Sequence, residues 1–252
     1  YNVTDRNFKW PQVWRSNIGT DIRNKFGTVY TFDVAYTKDV NAMMVRNYKL
    51  GTPTGTLNSG TGDDRKIYTA ANQGTANTYV FTNTKVGYQF NFSFQAQQTF
   101  KKGLYAMVGY NFLVAKDASS ISAEISSDAF DRNPILNNAN EARLTPSLYG
   151  NKHRIIAAVY KKVDYGKDNR YATTVSFFAN WTSGNRFAYV YGGDINNDGT
   201  SSNDLLYVPT DGEIDNMPFT ALLDANGNVQ DSHLQSPWRP RRGVCAPKIP
   251  GT

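Results

Sequence analysis

Apolar and polar residues alternate strictly along the stretch from Val86 to Val114. On its first arm the even positions are apolar: Val86, Tyr88, Phe90, Phe92, Phe94 and Ala96. The odd positions between them are polar or glycine: Gly87, Gln89, Asn91, Ser93, Gln95 and Gln97. A period of two is that of a β-strand with one apolar and one polar face. After a polar turn at Lys101-Lys102-Gly103, the even positions from Leu104 to Val114 are again apolar, so the pattern predicts a β-hairpin.

The arms of this hairpin are long for a soluble protein. A tilted strand crosses a bilayer in about 9–11 residues, whereas soluble strands average roughly 5–6 residues. Long, aromatic-rich, alternating arms joined by a short turn are typical of outer-membrane β-barrels. From this hairpin alone, a large soluble β-sandwich or β-helix remains the alternative.

The same analysis predicts further strands on both sides of the hairpin. They are Tyr30–Met44, Arg154–Lys162 and Tyr171–Trp181, with a short strand at Leu205–Val208. Trp10–Arg23 also fits a strand, although Trp14, Ile18 and Ile22 are spaced like one face of a helix. Short turns are expected at residues 24–27 and 164–169, where Gly, Asn and Asp cluster.

Long polar segments separate the paired strands. They cover Leu50–Asn77, Lys116–Asn151 and the chain from Ser183 onward. Loops of about 30 residues argue against a compact soluble domain, and short turns alternating with long loops are typical of an outer-membrane barrel. The predicted fold is therefore all-β: about six strands of a transmembrane antiparallel β-barrel with long extracellular loops. Since the smallest such barrels have about eight strands, six would form only part of one.

The composition of the chain excludes several classes of protein. The mean hydropathy is −0.54 and no run of 18 apolar residues occurs, which excludes a helical membrane protein. The single cysteine, Cys245, excludes a disulfide framework within the chain. The net charge is +6, but no basic patch is interleaved with stacking aromatics, so nucleic acid is not an expected partner. The chain begins at Tyr1 without a signal segment, and we interpret it as a piece of a longer protein.

Three stretches carry a more specific signal. They are Trp10–Gly19, Tyr36–Leu50 with its ending Val-Arg-Asn-Tyr-Lys-Leu, and Tyr191–Pro209 with Asp-Ile-Asn-Asn-Asp-Gly followed by Asn-Asp-Leu-Leu-Tyr-Val-Pro. Together they resemble the C-terminal half of the barrel of TonB-dependent outer-membrane receptors, of the Oar-like and SusC-like branch. The resemblance covers residues 5–235, and the third stretch is the most specific.

This resemblance implies a barrel of about 22 strands enclosing an N-terminal plug. It implies a location in the outer membrane of a Gram-negative bacterium, in contact with outer-membrane lipids. It also implies uptake of a bulky extracellular nutrient such as a glycan, peptide or chelate, energised by the TonB complex through a plug absent from this chain. A SusD-like surface lipoprotein is a further implied partner.

The chain divides into a barrel segment, residues 1–235, and an irregular tail, residues 236–252. The tail departs from the family pattern, because its four prolines are incompatible with a central strand. A truncated or altered-frame end is one interpretation, and a native irregular tail is the other.

The polar third stretch contains a candidate calcium loop. Asp194, Asn196 and Asp198 place oxygen ligands at alternate positions, Gly199 permits a sharp turn, and Asp204 adds a carboxylate. Leu205 stands where an EF-hand has its bidentate Glu, so the loop is not an EF-hand. The structural alternative is an Asx turn that satisfies its own backbone. Residues 224–228 form a weaker copy.

We expect a transport protein and not an enzyme. The two histidines, His153 and His233, are far apart in sequence, and no HExxH, phosphate-loop or G-x-S-x-G motif occurs. Substrate contacts are expected from the loop at residues 183–223 and from the polar strand face, where the candidates are Gln89, Asn91, Ser93, Gln95 and Gln97. A non-transport outer-membrane barrel (adhesion or secretion) and a soluble calcium-dependent carbohydrate-binding β protein are the alternatives.

Overall fold

The computed structural model describes residues 1–57, 62–69, 77–120 and 123–214. Its strands are β1 (Asn2–Thr4), β2 (Gln12–Arg23), β3 (Val29–Asn47), β4 (Gly55–Thr56), β5 (Lys66–Ile67), β6 (Tyr79–Thr84), β7 (Gly87–Phe100), β8 (Leu104–Asp117), β9 (Thr145–Pro146), β10 (His153–Tyr165) and β11 (Tyr171–Thr182). Two short helices are α1 (Ser126–Asp131) and α2 (Asp211–Ile214). The predicted tail and the loop at 224–228 lie outside the described residues.

Six long strands form an antiparallel meander in the order β2–β3–β7–β8–β10–β11. These are the six long strands that alternation predicts, and the all-β fold class is confirmed. The helical alternative for Trp10–Arg23 is wrong, because β2 pairs with β3 along its whole length. No helix in the described part of the chain is long and apolar enough to cross a membrane.

Short and long connections alternate along this meander. Residues 24–28, 101–103 and 166–170 link β2 to β3, β7 to β8 and β10 to β11. The third turn begins later than predicted, because β10 and β11 keep pairing until Tyr165 meets Tyr171. The other connections, 48–86 and 118–152, are much longer and contain β4, β5, β6, β9 and α1.

The pairing register collects the apolar side chains on one face of the sheet. One row across five strands contains Phe32, Phe94, Tyr110, Ile155 and Trp181. Directly opposed residues of antiparallel strands point to the same side, so the alternation within each strand adds up to a continuous apolar face.

The opposite face of the same strands carries most of their polar side chains, with apolar exceptions at Met107, Leu113, Ile156 and Phe178. The next row along the sheet contains Asp33, Ser93, Asn111 and Arg154, and Gly19 of β2 pairs with Asp33 at its edge. The sheet is therefore amphipathic as a whole, most strictly at β7 and less regularly at β2, β8, β10 and β11.

The protein consists of two compact units. The sheet unit comprises residues 1–48, 76–133 and 139–189, and the loop unit comprises residues 49–75, 134–138 and 190–252. The loop unit thus draws on the two long connections within the meander and on the chain after β11. Its described part contains the β4–β5 hairpin and two isolated bridges, Ile135–Asp204 and Val190–Leu205. The predicted strand Leu205–Val208 is wrong, since pairing ends at Leu205.

Sequence patterns did not reveal β6, β1 and α1. Residues of β6 and α1, with Met44 and Val45 of β3, are among the buried apolar residues of the sheet unit's small core. β6 continues along the edge of β3 in the same register as β7, and it also pairs in parallel with β1. On α1, Phe130 packs against Tyr79 of β6 with ring centroids 5.5 Å apart. Because β6 has partners on both edges and α1 on one face, it carries no simple alternation.

Candidate functional site

Two sets of polar residues were predicted to carry function, and they lie in different units. The first is the polar loop Asp194–Asp204 of the loop unit. Its backbone is shaped by its own side chains: Asp194 Oδ1 accepts from the N–H of Asp198 at 3.1 Å, and Oδ2 from that of Gly199 at 2.8 Å. Gly199 has φ +90°, in the left-handed region where glycine is favoured.

Asp198 makes hydrogen bonds to several other residues of this loop and is almost fully buried. Its Oδ1 accepts from the backbone N–H of Thr200 at 3.0 Å and from that residue's hydroxyl at 2.7 Å. Its Oδ2 accepts from Asn203 Nδ2 at 2.9 Å and Asn196 Nδ2 at 3.4 Å. Asn196 Oδ1 in turn accepts from the Asp198 N–H at 2.9 Å. A carboxylate with this many donors is held in one orientation.

Arg65 connects this loop to a distant part of the sequence. Its Nη1 donates to Asp204 Oδ1 at 3.0 Å, and its Nη2 pairs with Asp63 Oδ2 at 2.8 Å and donates to the carbonyl of Leu205 at 2.6 Å. The guanidinium also lies 5.4 Å from the ring centre of Tyr191. Arg65 is 2% exposed, and a buried charge requires such compensation.

Burial and charge shift the pKa values in this cluster. Burial works against the charged guanidinium, but hydrogen bonds and charges from Asp63 and Asp204 outweigh it and raise the pKa of Arg65. Burial raises the pKa of Asp204; the charge of Asp198 adds to this, while the Ile195 N–H and Arg65 oppose it. Burial also raises the pKa of Asp194, against the hydrogen bond from Gly199.

The structure brings the four predicted calcium ligands into one hydrogen-bonded loop. Asp194 and Asn196 both accept a hydrogen bond from the backbone N–H of Asp198. Asp204 accepts from the N–H of Ile195 at 3.1 Å and pairs with Arg65. Within the described ranges, no three His, Cys, Asp or Glu side chains are placed to hold a metal ion. The side chains of the loop therefore satisfy its own backbone N–H groups, as in an Asx turn. Calcium binding stays a prediction.

The second set lies on the polar face of the sheet. Gln89, Asn91, Ser93, Gln95 and Gln97 all project from this face of β7. Ser93 and Gln95 line a groove together with residues of β3, β8 and β10, including Thr31, Asp33, Asn111 and Arg154. Gln89 lines a second groove with charged neighbours: Arg15, Asp39, Lys116 and Asp117.

Hydrogen bonds on this face hold its side chains across the strands. Gln97 Oε1 accepts from Tyr105 Oη at 2.9 Å and from Gln95 Nε2 at 3.2 Å. Arg154 Nε donates to Asn180 Oδ1 at 3.1 Å. The substrate-contact role of the β7 residues stays a prediction.

Sequence reasoning missed Arg65, Asp63 and the partners of β7 in both grooves. Arg65 lies 139 residues from Asp204, and no local pattern connects them. Asp33, Asn111 and Arg154 could have been found, because each occupies a polar position of a predicted strand.

Comparison with known proteins identifies no relative: no family model, curated protein or solved structure matches the chain.

Proposed function

We propose that this chain forms part of the barrel wall of a TonB-dependent outer-membrane receptor that takes up a bulky nutrient. The observation that carries the proposal is the apolar face of the six-stranded sheet. Its aromatic and aliphatic side chains form continuous rows, and many of them are exposed in the described sheet unit.

The exposure of these side chains supports a lipid-facing role. Ile18 on β2 is 80% exposed and Phe177 on β11 is 68% exposed, while Phe92 and Phe94 at the centre of the sheet are only half-buried. The buried apolar side chains of this unit, such as Met44, lie outside these rows. Soluble proteins rarely leave a contiguous apolar surface of this kind uncovered, and such a surface marks a protein or membrane contact.

The edges of the sheet support a larger assembly of strands. Among the described residues, β2 pairs only with β3, and β11 pairs only with β10. Each of these edge strands has 12 residues, all of them exposed. Long open edges are prone to pair with further strands, and barrels remove such edges by closing.

The polar face supports a hydrophilic cargo. Around Ser93 and Gln95 the groove offers carboxylate, amide, hydroxyl and guanidinium groups from four adjacent strands. This mixture of donors and acceptors fits a glycan or peptide better than an apolar ligand. The TonB complex, acting through a plug, and a SusD-like lipoprotein are the partners we propose for energised uptake.

Cell fractionation tests this proposal. An antibody raised against residues 123–151 would detect the native protein in fractions of the source cells. We expect a band confined to the outer membrane and much larger than the 28.1 kDa of this chain. A soluble band of about this mass would contradict the proposal and favour the calcium-dependent carbohydrate-binding alternative.

A further inference from the structure

Basic side chains are concentrated at the three short turns of the sheet. We define the turn rim as residues 23–28, 100–104 and 161–171, which the meander places at one end of the strands. Two of its side chains are acidic, Asp164 and Asp168. The basic ones number eight: Arg23, Lys25, Lys101, Lys102, Lys161, Lys162, Lys167 and Arg170. This excess of six positive charges equals the net charge of the whole chain, +6, so the remaining residues are neutral in sum.

The cations of the rim are accessible. Seven of the eight are exposed, and Lys161 is half-buried. Among the described ion pairs, only Lys162 has a carboxylate partner, Asp164 at 3.0 Å. Like charges gathered without matching acids create a local positive potential that attracts anions.

The rim borders directly on the apolar face. Lys161 occupies an apolar-face position, paired with Leu104 and Val175, and its ammonium group reaches back to donate to the carbonyl of Lys102 in the turn. A lysine with its stem on an apolar surface and its charge directed to the rim has the arrangement of a side chain that snorkels at a membrane interface.

Aromatic residues mark the same boundary. Tyr165 and Tyr171 face each other on the apolar side, with ring centroids 5.9 Å apart, and Phe26 at another turn is 83% exposed. Tyrosine rings favour the level of the lipid headgroups, where one end of the ring is apolar and the other is wet.

We infer that the turn rim binds the phosphate groups of anionic phospholipids in the leaflet that surrounds the short turns. The inference rests on the proposed membrane location of the sheet. Lysine and arginine donate charge-assisted hydrogen bonds to phosphate, and the adjoining tyrosines and apolar face distinguish a lipid headgroup from a soluble anion as the occupant. This contact fixes the depth of the short-turn end in the membrane.

The test uses the full-length protein that contains this chain, reconstituted into phosphatidylcholine vesicles and into equimolar phosphatidylcholine–phosphatidylglycerol vesicles. Spin-labelled lipids report which headgroup is motionally restricted at the protein surface. The test variant combines Lys25→Gln, Lys101→Gln and Lys167→Gln, one exposed cation from each turn. The control variant combines Lys9→Gln, Lys85→Gln and Lys152→Gln, which removes three exposed cations outside the rim.

We expect the native chain to select phosphatidylglycerol and the rim variant to lose roughly tenfold of that selectivity, since each basic residue near an anionic surface contributes separately. The control variant should keep it. Unchanged selectivity in the rim variant, or equal loss in the control, would overturn the inference while leaving the proposed function intact. Failure of the full-length protein to insert into either vesicle would remove both.

Discussion

Arg65 joins two segments of the loop unit that are far apart in sequence. Its guanidinium is 2% exposed and holds two carboxylates and a backbone carbonyl from separate segments. Removing one partner of a buried ion pair leaves the other partner charged and uncompensated. The substitution therefore destabilises the fold by more than the ion pair itself stabilises it.

We expect Arg65→Met to destabilise the loop unit locally by about 3–5 kcal/mol, because Asp63 and Asp204 lose their cation. Hydrogen exchange followed by mass spectrometry across residues 190–208 would measure the loss of protection. Lys66→Gln is the matched control, since it removes a neighbouring positive charge that is only half-buried. Equal protection in the Arg65 and Lys66 variants would show that the buried pair does not stabilise the loop.

Asp194 and Asp204 give the loop a pH dependence of a defined sign. Burial raises the pKa of both carboxyls above the ordinary value of 3.8. The folded chain therefore binds their protons more tightly than the unfolded chain does. Their contribution to the free energy of unfolding is fully present below pH 3.8 and is lost as the pH rises through the raised folded values. Carbon-13 NMR of the carboxyl carbons should show both titrating above 3.8, and a midpoint at or below it would refute the burial argument.

At the scale of the element, the hairpin of β7 and β8 depends on the geometry of its turn. Gly103 has φ +71°, and a Cβ placed there would lie 3.0 Å from the carbonyl oxygen of Lys162 on β10. Both the left-handed backbone and the close approach disfavour any side chain at this position.

Gly103→Ala should therefore destabilise the sheet by more than the roughly 1–2 kcal/mol expected from a left-handed backbone alone. Gly27→Ala provides the comparison, because Gly27 has φ +85° but a Cβ added there would meet no atom within 4 Å. Urea unfolding of the vesicle-inserted protein would rank the two variants. A larger loss at Gly27 than at Gly103 would show that the contact with Lys162 is relieved without cost.

The long strands could be predicted from the sequence because alternation runs along most of their length, most clearly on β7. On β7 the even positions are apolar and the odd ones polar from Tyr88 to Gln95, and this period survives whatever the strand pairs with. β6 was missed because its first two residues, Tyr79 and Val80, are both buried although they point to opposite faces of the strand. Tyr79 packs against Phe130 of α1. A strand that is buried on both faces shows no alternation of apolar and polar residues in its sequence.

The candidate site was predictable only in its local part. The alternate oxygen ligands of Asp194, Asn196 and Asp198 are visible in sequence because they act within one turn. The contribution of Arg65 depends on a chain reversal across 139 residues, and the charge of a lone arginine in a polar segment gives no sign of its burial.

At the scale of the whole molecule, the two faces of one sheet require different surroundings. Rows such as Phe94, Tyr110 and Ile155 need an apolar environment that the described sheet unit does not provide. The row of Ser93, Asn111 and Arg154 needs water or a polar ligand. The proposed location, with a membrane on one side and an aqueous lumen on the other, would meet both needs.

The most direct test of this claim is a nitroxide scan along β7 in the full-length protein, reconstituted into lipid vesicles. Single cysteines at Phe92, Ser93, Phe94 and Gln95, in a Cys245→Ala background, would be labelled and their accessibility to oxygen and to a water-soluble nickel chelate compared. We expect a period of two, with residues 92 and 94 accessible from lipid and residues 93 and 95 from water. Accessibility to the nickel chelate at all four positions, or no alternation, would contradict a membrane-spanning sheet.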